Sequence, residues 1–103
     1  MEIVYSPQVS KFTDGLSDDL ASRLDQMVLL LEERGPMLRM PYSKPLGRGL
    51  FELRTVGAIH LRVLYFFYEN KAFLARGFIK KRRMLGRHEI DQALVLKRLV
   101  AGI

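Results

Sequence analysis

The 103-residue chain is 49% hydrophobic and has no cysteine, which is enough apolar content for one core and excludes disulfides and thiolate metal sites. No apolar run approaches a membrane span, and the chain starts on a strand-like Glu2-Ile-Val-Tyr5 instead of a signal peptide, so a soluble, cytoplasmic protein without membrane contact is expected. The net charge of +6 is unevenly placed: residues 1–35 carry three Lys/Arg against seven Asp/Glu, and residues 36–103 carry fourteen against four. A basic part set apart from an acidic one suits either a polyanionic partner or a plainly solvated basic surface.

Taken in order, Glu2 to Tyr5 predicts a short strand. Ser6-Pro7 then predicts a helix start, with Ser as cap and Pro at the first helical position, where its missing N–H costs nothing. That short helix is expected to run through Phe12. Ser17-Asp18-Asp19 predicts a second start, because Ser17 can cap and two carboxylates favour the positive end of the helix dipole. Leu20, Leu24, Met27, Val28 and Leu31 recur at three- and four-residue spacing, a stripe that packs on a sheet, and Gly35-Pro36 ends the helix. Met37 to Lys44, with Pro36, Pro41 and Pro45 around it, is expected to be extended and irregular. Tyr42 in this connector can cap the core or stack on a base.

Three antiparallel strands are then predicted, over Leu46–Arg54, Ala58–Tyr68 and Ala72–Lys81, punctuated by Gly57 and by Glu69-Asn70-Lys71. Side chains two apart share a face, which groups Glu52 with Arg54, His60 with Arg62, and Arg76 with Phe78 and Lys80. Phe51, Leu53, Leu61, Val63 and Tyr65 take the other face. Met84-Leu85-Gly86 turns the chain into a last helix from Arg87 to about Val100, whose broad apolar stripe calls for the sheet on one side and a partner segment on the other. One domain over 1–103 is expected, of α+β class: an antiparallel sheet made of a short N-terminal strand plus a three-strand meander, packed against two N-terminal helices, with a C-terminal helix.

The search for chemical motifs is mostly negative. Gly47-Arg-Gly49 precedes a strand and lacks the spacing of a phosphate loop. His60 and His88 have no ligand-spaced carboxylates, so neither a metal nor another cofactor is expected, and no Ser, His and Asp arrangement presents itself. Cations beside aromatics remain.

Four stretches in this order, Leu46-Gly-Arg-Gly-Leu-Phe-Glu-Leu-Arg54, Arg62-Val-Leu-Tyr-Phe66, Gly77-Phe-Ile-Lys-Lys81 and Glu89-Ile-x-x-Ala93, resemble the phage-derived, HigB-like branch of the RelE/ParE toxin superfamily. The resemblance covers nearly the whole chain. It implies a small RelE-like domain and the toxin of a type II toxin–antitoxin module, a ribosome-dependent mRNA endoribonuclease held inactive by a cognate antitoxin of helix-turn-helix type. Carried over by position, Glu52 and Arg54 match the family's Glu-Leu-Arg, Arg62 its second-strand arginine, and Lys80 and Lys81 its Phe-x-Lys-Lys, so Glu52, Arg54, Arg62 and Lys80 are the expected catalytic residues. Lys81 and the other cations beside the sheet, Lys44, Arg48, Arg76, Arg82 and Arg83, are the expected RNA contacts. The chain departs from the family pattern at Arg82-Arg83-Met84-Leu85-Gly86-Arg87, where a polar residue and Thr-Pro are usual, and at Arg76, where a histidine is common.

Attack by the RNA's own 2′-hydroxyl needs a base, an acid for the 5′-oxygen and cations for the phosphorane, and no metal. Glu52 is the candidate base, with Lys80 as the alternative. Lys80 is also the candidate acid, with His60 as its rival, and Arg54 and Arg62 are the phosphate clamps. The structural alternative for Glu52, Arg54 and Arg62 is a cross-strand ion pair on a solvated face. Two other functions stay open: a non-catalytic ParE-like toxin that acts on another target through its last helix, and a plain RNA- or DNA-binding module working by counterion release.

Overall fold

The computed structural model describes residues 1–55, 57–81 and 86–102. Both serine starts form as expected. The Ser6 hydroxyl accepts from the Val9 N–H (3.2 Å) and opens α1, Pro7–Asp14, while Ser17 accepts from Leu20 (3.3 Å) and opens α2, Asp18–Arg34. Helix α1 runs two residues beyond Phe12. Gly35 then ends α2 at φ +53°, a conformation that suits glycine, and Gly35–Met37 tightens into a 3-10 turn.

Five strands form one mixed sheet: β1 (Glu2–Tyr5), β2 (Ser43–Gly47), β3 (Leu50–Arg54), β4 (Leu61–Tyr68) and β5 (Lys71–Ile79), in the order β1-β5-β4-β3-β2. The meander β3-β4-β5 is antiparallel as expected, whereas β1, expected in an antiparallel sheet, joins β5 in parallel at the far edge and makes the sheet mixed. Glu69 and Asn70, at φ +50° and +61°, make the tight turn between β4 and β5.

Two further expectations need correction. The connector is not wholly irregular, because Ser43–Gly47 pairs with β3 as an edge strand. Leu46 to Arg54 is not one strand either, since Gly47, Arg48 and Gly49, at φ +86°, +56° and +77°, reverse the chain between β2 and β3. Pro45 is tolerated in β2 because an edge strand has one side without a ladder, and the register slips between Pro45 and Gly47.

The N-terminal helices lie on one face of the sheet, where Val9, Leu24, Val28 and Leu31 bury against Leu53, Leu61, Val63, Tyr65, Ala72 and Leu74. The last helix, α3 (Arg87–Ala101), lies on the other, with Ala93 over Leu50, Leu64, Phe66 and Ala75. Central β4 is covered on both faces and is buried from Leu61 to Phe66. Each Leu or Phe so buried contributes ~1.5–3 kcal/mol. The Tyr65 hydroxyl is buried too, 2.6 Å from the Ser43 hydroxyl.

Among the described residues, no helix is long and apolar enough to cross a membrane. The elements thus put β3, β4 and β5 between two helical layers, with α3 over the middle of one face.

Gly77 sits against the Phe12 ring, so a β-carbon there would run into the ring's edge, whereas one at Gly15 meets only ordinary contacts. Gly77→Ala should lower stability by about 1–3 kcal/mol, and Gly15→Ala, at a φ of −86°, should leave it unchanged or raise it slightly. Urea denaturation of the two variants checks this.

Burial raises the Tyr65 phenol above its ordinary value of 10.0, with the Ser43 hydrogen bond opposing. A group whose folded value is raised contributes stability that is fully present below the unfolded value and lost as pH rises through the folded one. Melting temperature should therefore fall above pH 10, and Tyr65→Phe should flatten that fall.

Candidate functional site

Strand register builds the site in rungs on the α3 face. Lys44, Glu52, Leu64 and Arg76 pair in succession across β2, β3, β4 and β5, and Arg54, Arg62 and Phe78 make the next rung. The Lys80 N–H donates to the His60 carbonyl (2.8 Å), so His60 and Lys80 form a third. Alternation puts all three rungs on one face, and each carries at least one cation or histidine.

Glu52 is the anion among them. Its Oε1 lies 3.5 Å from Arg54 Nε and 3.7 Å from Arg62 Nε, which are ion-pair separations and too long for good hydrogen bonds. Neither Nε has a hydrogen-bond partner. Glu52 is 2% exposed and Arg62 4%, while the Arg54 side chain is 26% exposed.

Arg62 is tied down further. Its Nη1 donates to the carbonyls of Leu61 (2.9 Å) and Thr55 (3.4 Å), and its Nη2 lies 3.3 Å from His60 Nδ1. Burial pulls the Arg62 guanidinium below its usual range; Glu52 opposes that shift and Arg54 adds to it. Arg54 Nη1 reaches Met40 Sδ (3.3 Å) in the connector.

The expected site residues therefore separate. Glu52, Arg54 and Arg62 meet, and Lys80 is placed one rung beyond Arg62. Lys44 is exposed on β2 and shares Glu52's rung, and Lys81 is exposed just past β5. Arg48 is exposed at the β2–β3 turn, at the opposite end of β3 from Arg54, with the length of the strand, ~13 Å at ~3.3 Å per residue, between its two ends. Arg76 is half-buried and its Nε bonds Glu89 Oε2 on α3 (2.8 Å). Arg82 and Arg83 lie outside the described residues. The solvated ion-pair alternative does not fit, because two of the three groups are buried.

Sequence reasoning missed Thr55, whose carbonyl and hydroxyl brace the loop before β4, and Met40. A threonine closing a strand of alternating charge was the available signal for the first. Met40 had none, since its contact depends on how the connector folds back. Among the described residues, no group of three or more His, Asp and Glu is placed to hold a metal ion.

Residues 11–98 match the family described as phage derived protein Gp49-like (DUF891). The chain belongs to this family. Its proteins are RelE/toxin-like. The matched segment runs from within α1 to within α3, so it takes in all three rungs of this Gp49-like chain. The search of curated proteins finds no match.

Removing the charge of Glu52 leaves two guanidinium groups opposed across β3 and β4 with no counterion. Glu52→Gln should cost about 3 kcal/mol, the low end for a broken buried pair because Arg54 keeps some access to water. A urea titration of this variant beside Lys44→Gln, which should change little, measures it.

Proposed function

We propose that this Gp49-like chain is the toxin of a type II toxin–antitoxin module, of the HigB-like kind, and cuts message on the ribosome without a metal. The observation that carries the proposal is the Glu52, Arg54 and Arg62 cluster with Lys80 and His60 on the next rung. Buried charge is costly, and a fold that concentrates it on one face of a sheet favours a chemical use for it.

In this reaction the message's 2′-hydroxyl attacks the adjacent phosphorus, the 5′-oxygen leaves, and charge gathers on the phosphorane oxygens. Arg54, with part of its guanidinium in solvent, and Lys80 stabilise that charge. Glu52 lies too deep to meet an incoming hydroxyl, so its part is to orient Arg54 and Arg62, in place of the general-base role expected of it. His60, exposed beside Lys80, and Lys80 itself then move the two protons. Arg62 is a positioning residue that holds His60 and Glu52. Lys44, Arg48, Lys81, Arg82 and Arg83 guide the RNA electrostatically, and Arg76 joins them only if it leaves Glu89. A neighbouring antitoxin of helix-turn-helix type and the translating ribosome, hence the cytoplasm, complete the setting.

A second reading rests on α3, where Val95 and Leu99 are 46% and 77% exposed. A toxin that blocks another target through this helix would need no catalysis. Growth arrest by an Arg54→Ala variant as strong as the parent's would favour it.

Arg54→Ala should slow single-turnover cleavage of ribosome-bound message by 10²–10³-fold, about 2.7–4 kcal/mol, as when one preorganised donor is lost. Arg48→Ala, at the other end of β3, should only weaken binding and lower its salt dependence by about one unit of slope. Unchanged cutting by Arg54→Ala would sink the proposed site.

A further inference from the structure

On the other face of the same sheet end lies a cleft of about 380 Å³ lined by Arg23, Gln26, Met27, Tyr42 and Thr55. We propose that it is a nucleobase pocket that takes an unpaired base flanking the cut phosphate and so sets the base preference; this deepens the nuclease reading and rests on it. Arg23, Gln26 and Met27 stand at i, i+3 and i+4 of α2 and share one side of the helix. Opposite them, Tyr42 packs against the core and is half-buried.

The chemistry of these walls suits a base. An aromatic ring gives a stacking platform, a thioether gives a soft and adaptable wall, and a primary amide can donate and accept along a base edge. Arg23 adds a cation whose exposed ion pair with Asp19 (3.3 Å) is of the weak helical kind. Gly57 makes room for it, since a side chain there would collide with the Arg23 guanidinium.

The cleft is wired to the cationic rungs through backbone. The Tyr42 carbonyl accepts the Arg54 N–H (2.8 Å), and Thr55, which also borders the cleft, gives its carbonyl to Arg62. A strand of RNA turning round this end of the sheet meets the guanidinium groups on one side of β3 and the Tyr42 ring on the other.

The test is binding of labelled oligoribonucleotides at low ionic strength, in a series with one abasic position moved along the strand. For the parent chain, one abasic position should weaken binding by about tenfold, the scale of one lost stacked base. Tyr42→Ala should weaken the intact oligonucleotide by the same factor and show no further loss at that abasic position, while Tyr42→Phe binds like the parent. Gln26 is exposed, so Gln26→Ala folds without penalty, and it should change which base is preferred there.

Parent chain that binds no oligonucleotide, equal abasic penalties in parent and Tyr42→Ala, or an unchanged base ranking in Gln26→Ala each overturns the pocket. The nuclease reading fails separately: a chain with the base dependence that never cuts ribosome-bound message keeps the pocket and loses the nuclease.

Discussion

The carboxylate of Glu52 holds together an arrangement that would otherwise fly apart. Register puts Arg54 and Arg62 directly opposite each other on adjacent strands, a like-charge pairing that destabilises a sheet. One anion between the two Nε atoms offsets that repulsion, and the Leu61 and Thr55 carbonyls share the desolvation of Arg62. Taking such ions out of water costs several kcal/mol each, so the cluster is near break-even for stability at best. A well-packed apolar set on the same rungs would hold the sheet as well. What the apolar set lacks is a fixed positive field at one end of the face.

Which side chains feel that field depends on an irregularity in β5. Leu64 pairs with Arg76 while its neighbour Tyr65 pairs with Leu74, so Ala75 is the extra residue of a bulge. Before the bulge, Leu74 faces the N-terminal helices and Phe73 faces α3; after it, Arg76 and Phe78 face α3. Strict alternation through the whole strand would put Leu74 and Arg76 on the same face. The bulge lets one strand supply apolar residues to both cores and still deliver Arg76 to Glu89 on the first turn of α3. That ion pair is in turn a bracket between β5 and α3, which spends Arg76 on structure while Glu89 stays paired.

Much of this was legible in the chain itself. Ser6 and Ser17 mark helix starts through a local hydrogen bond, and Leu24, Val28 and Leu31 mark a buried stripe through helical period, so neighbouring residues suffice for both. Alternation likewise groups Glu52 with Arg54, and His60 with Arg62, each pair on one face of its strand. The parallel pairing of β1 with β5 joins residue 2 to residue 71, and nothing local records it. Strand β2 hid behind Pro45, and the turn at residues 47–49 hid inside what reads as a continuous strand because Arg48, an ordinary residue in composition, takes a positive φ. The depth of Glu52 and Arg62 follows from packing by distant segments, which no spacing encodes.

The charge asymmetry of the sequence gains a direction in three dimensions. Asp18, Asp19, Asp25, Glu32 and Glu33 are all exposed on α2, so the outer side of the helical layer repels a polyanion within the ~8 Å Debye length of physiological salt. The cations of the meander lie on the opposite face of the sheet. Any polyanion drawn to that face could extend toward the helical layer only where the acidic surface is interrupted. Arg23 is the one basic residue within the body of α2, Arg34 being its last, and Arg23 borders the cleft against Tyr42. The field of the molecule thus admits a polyanion at the sheet end where the guanidinium rungs and the aromatic cleft meet, and opposes it elsewhere along the helix.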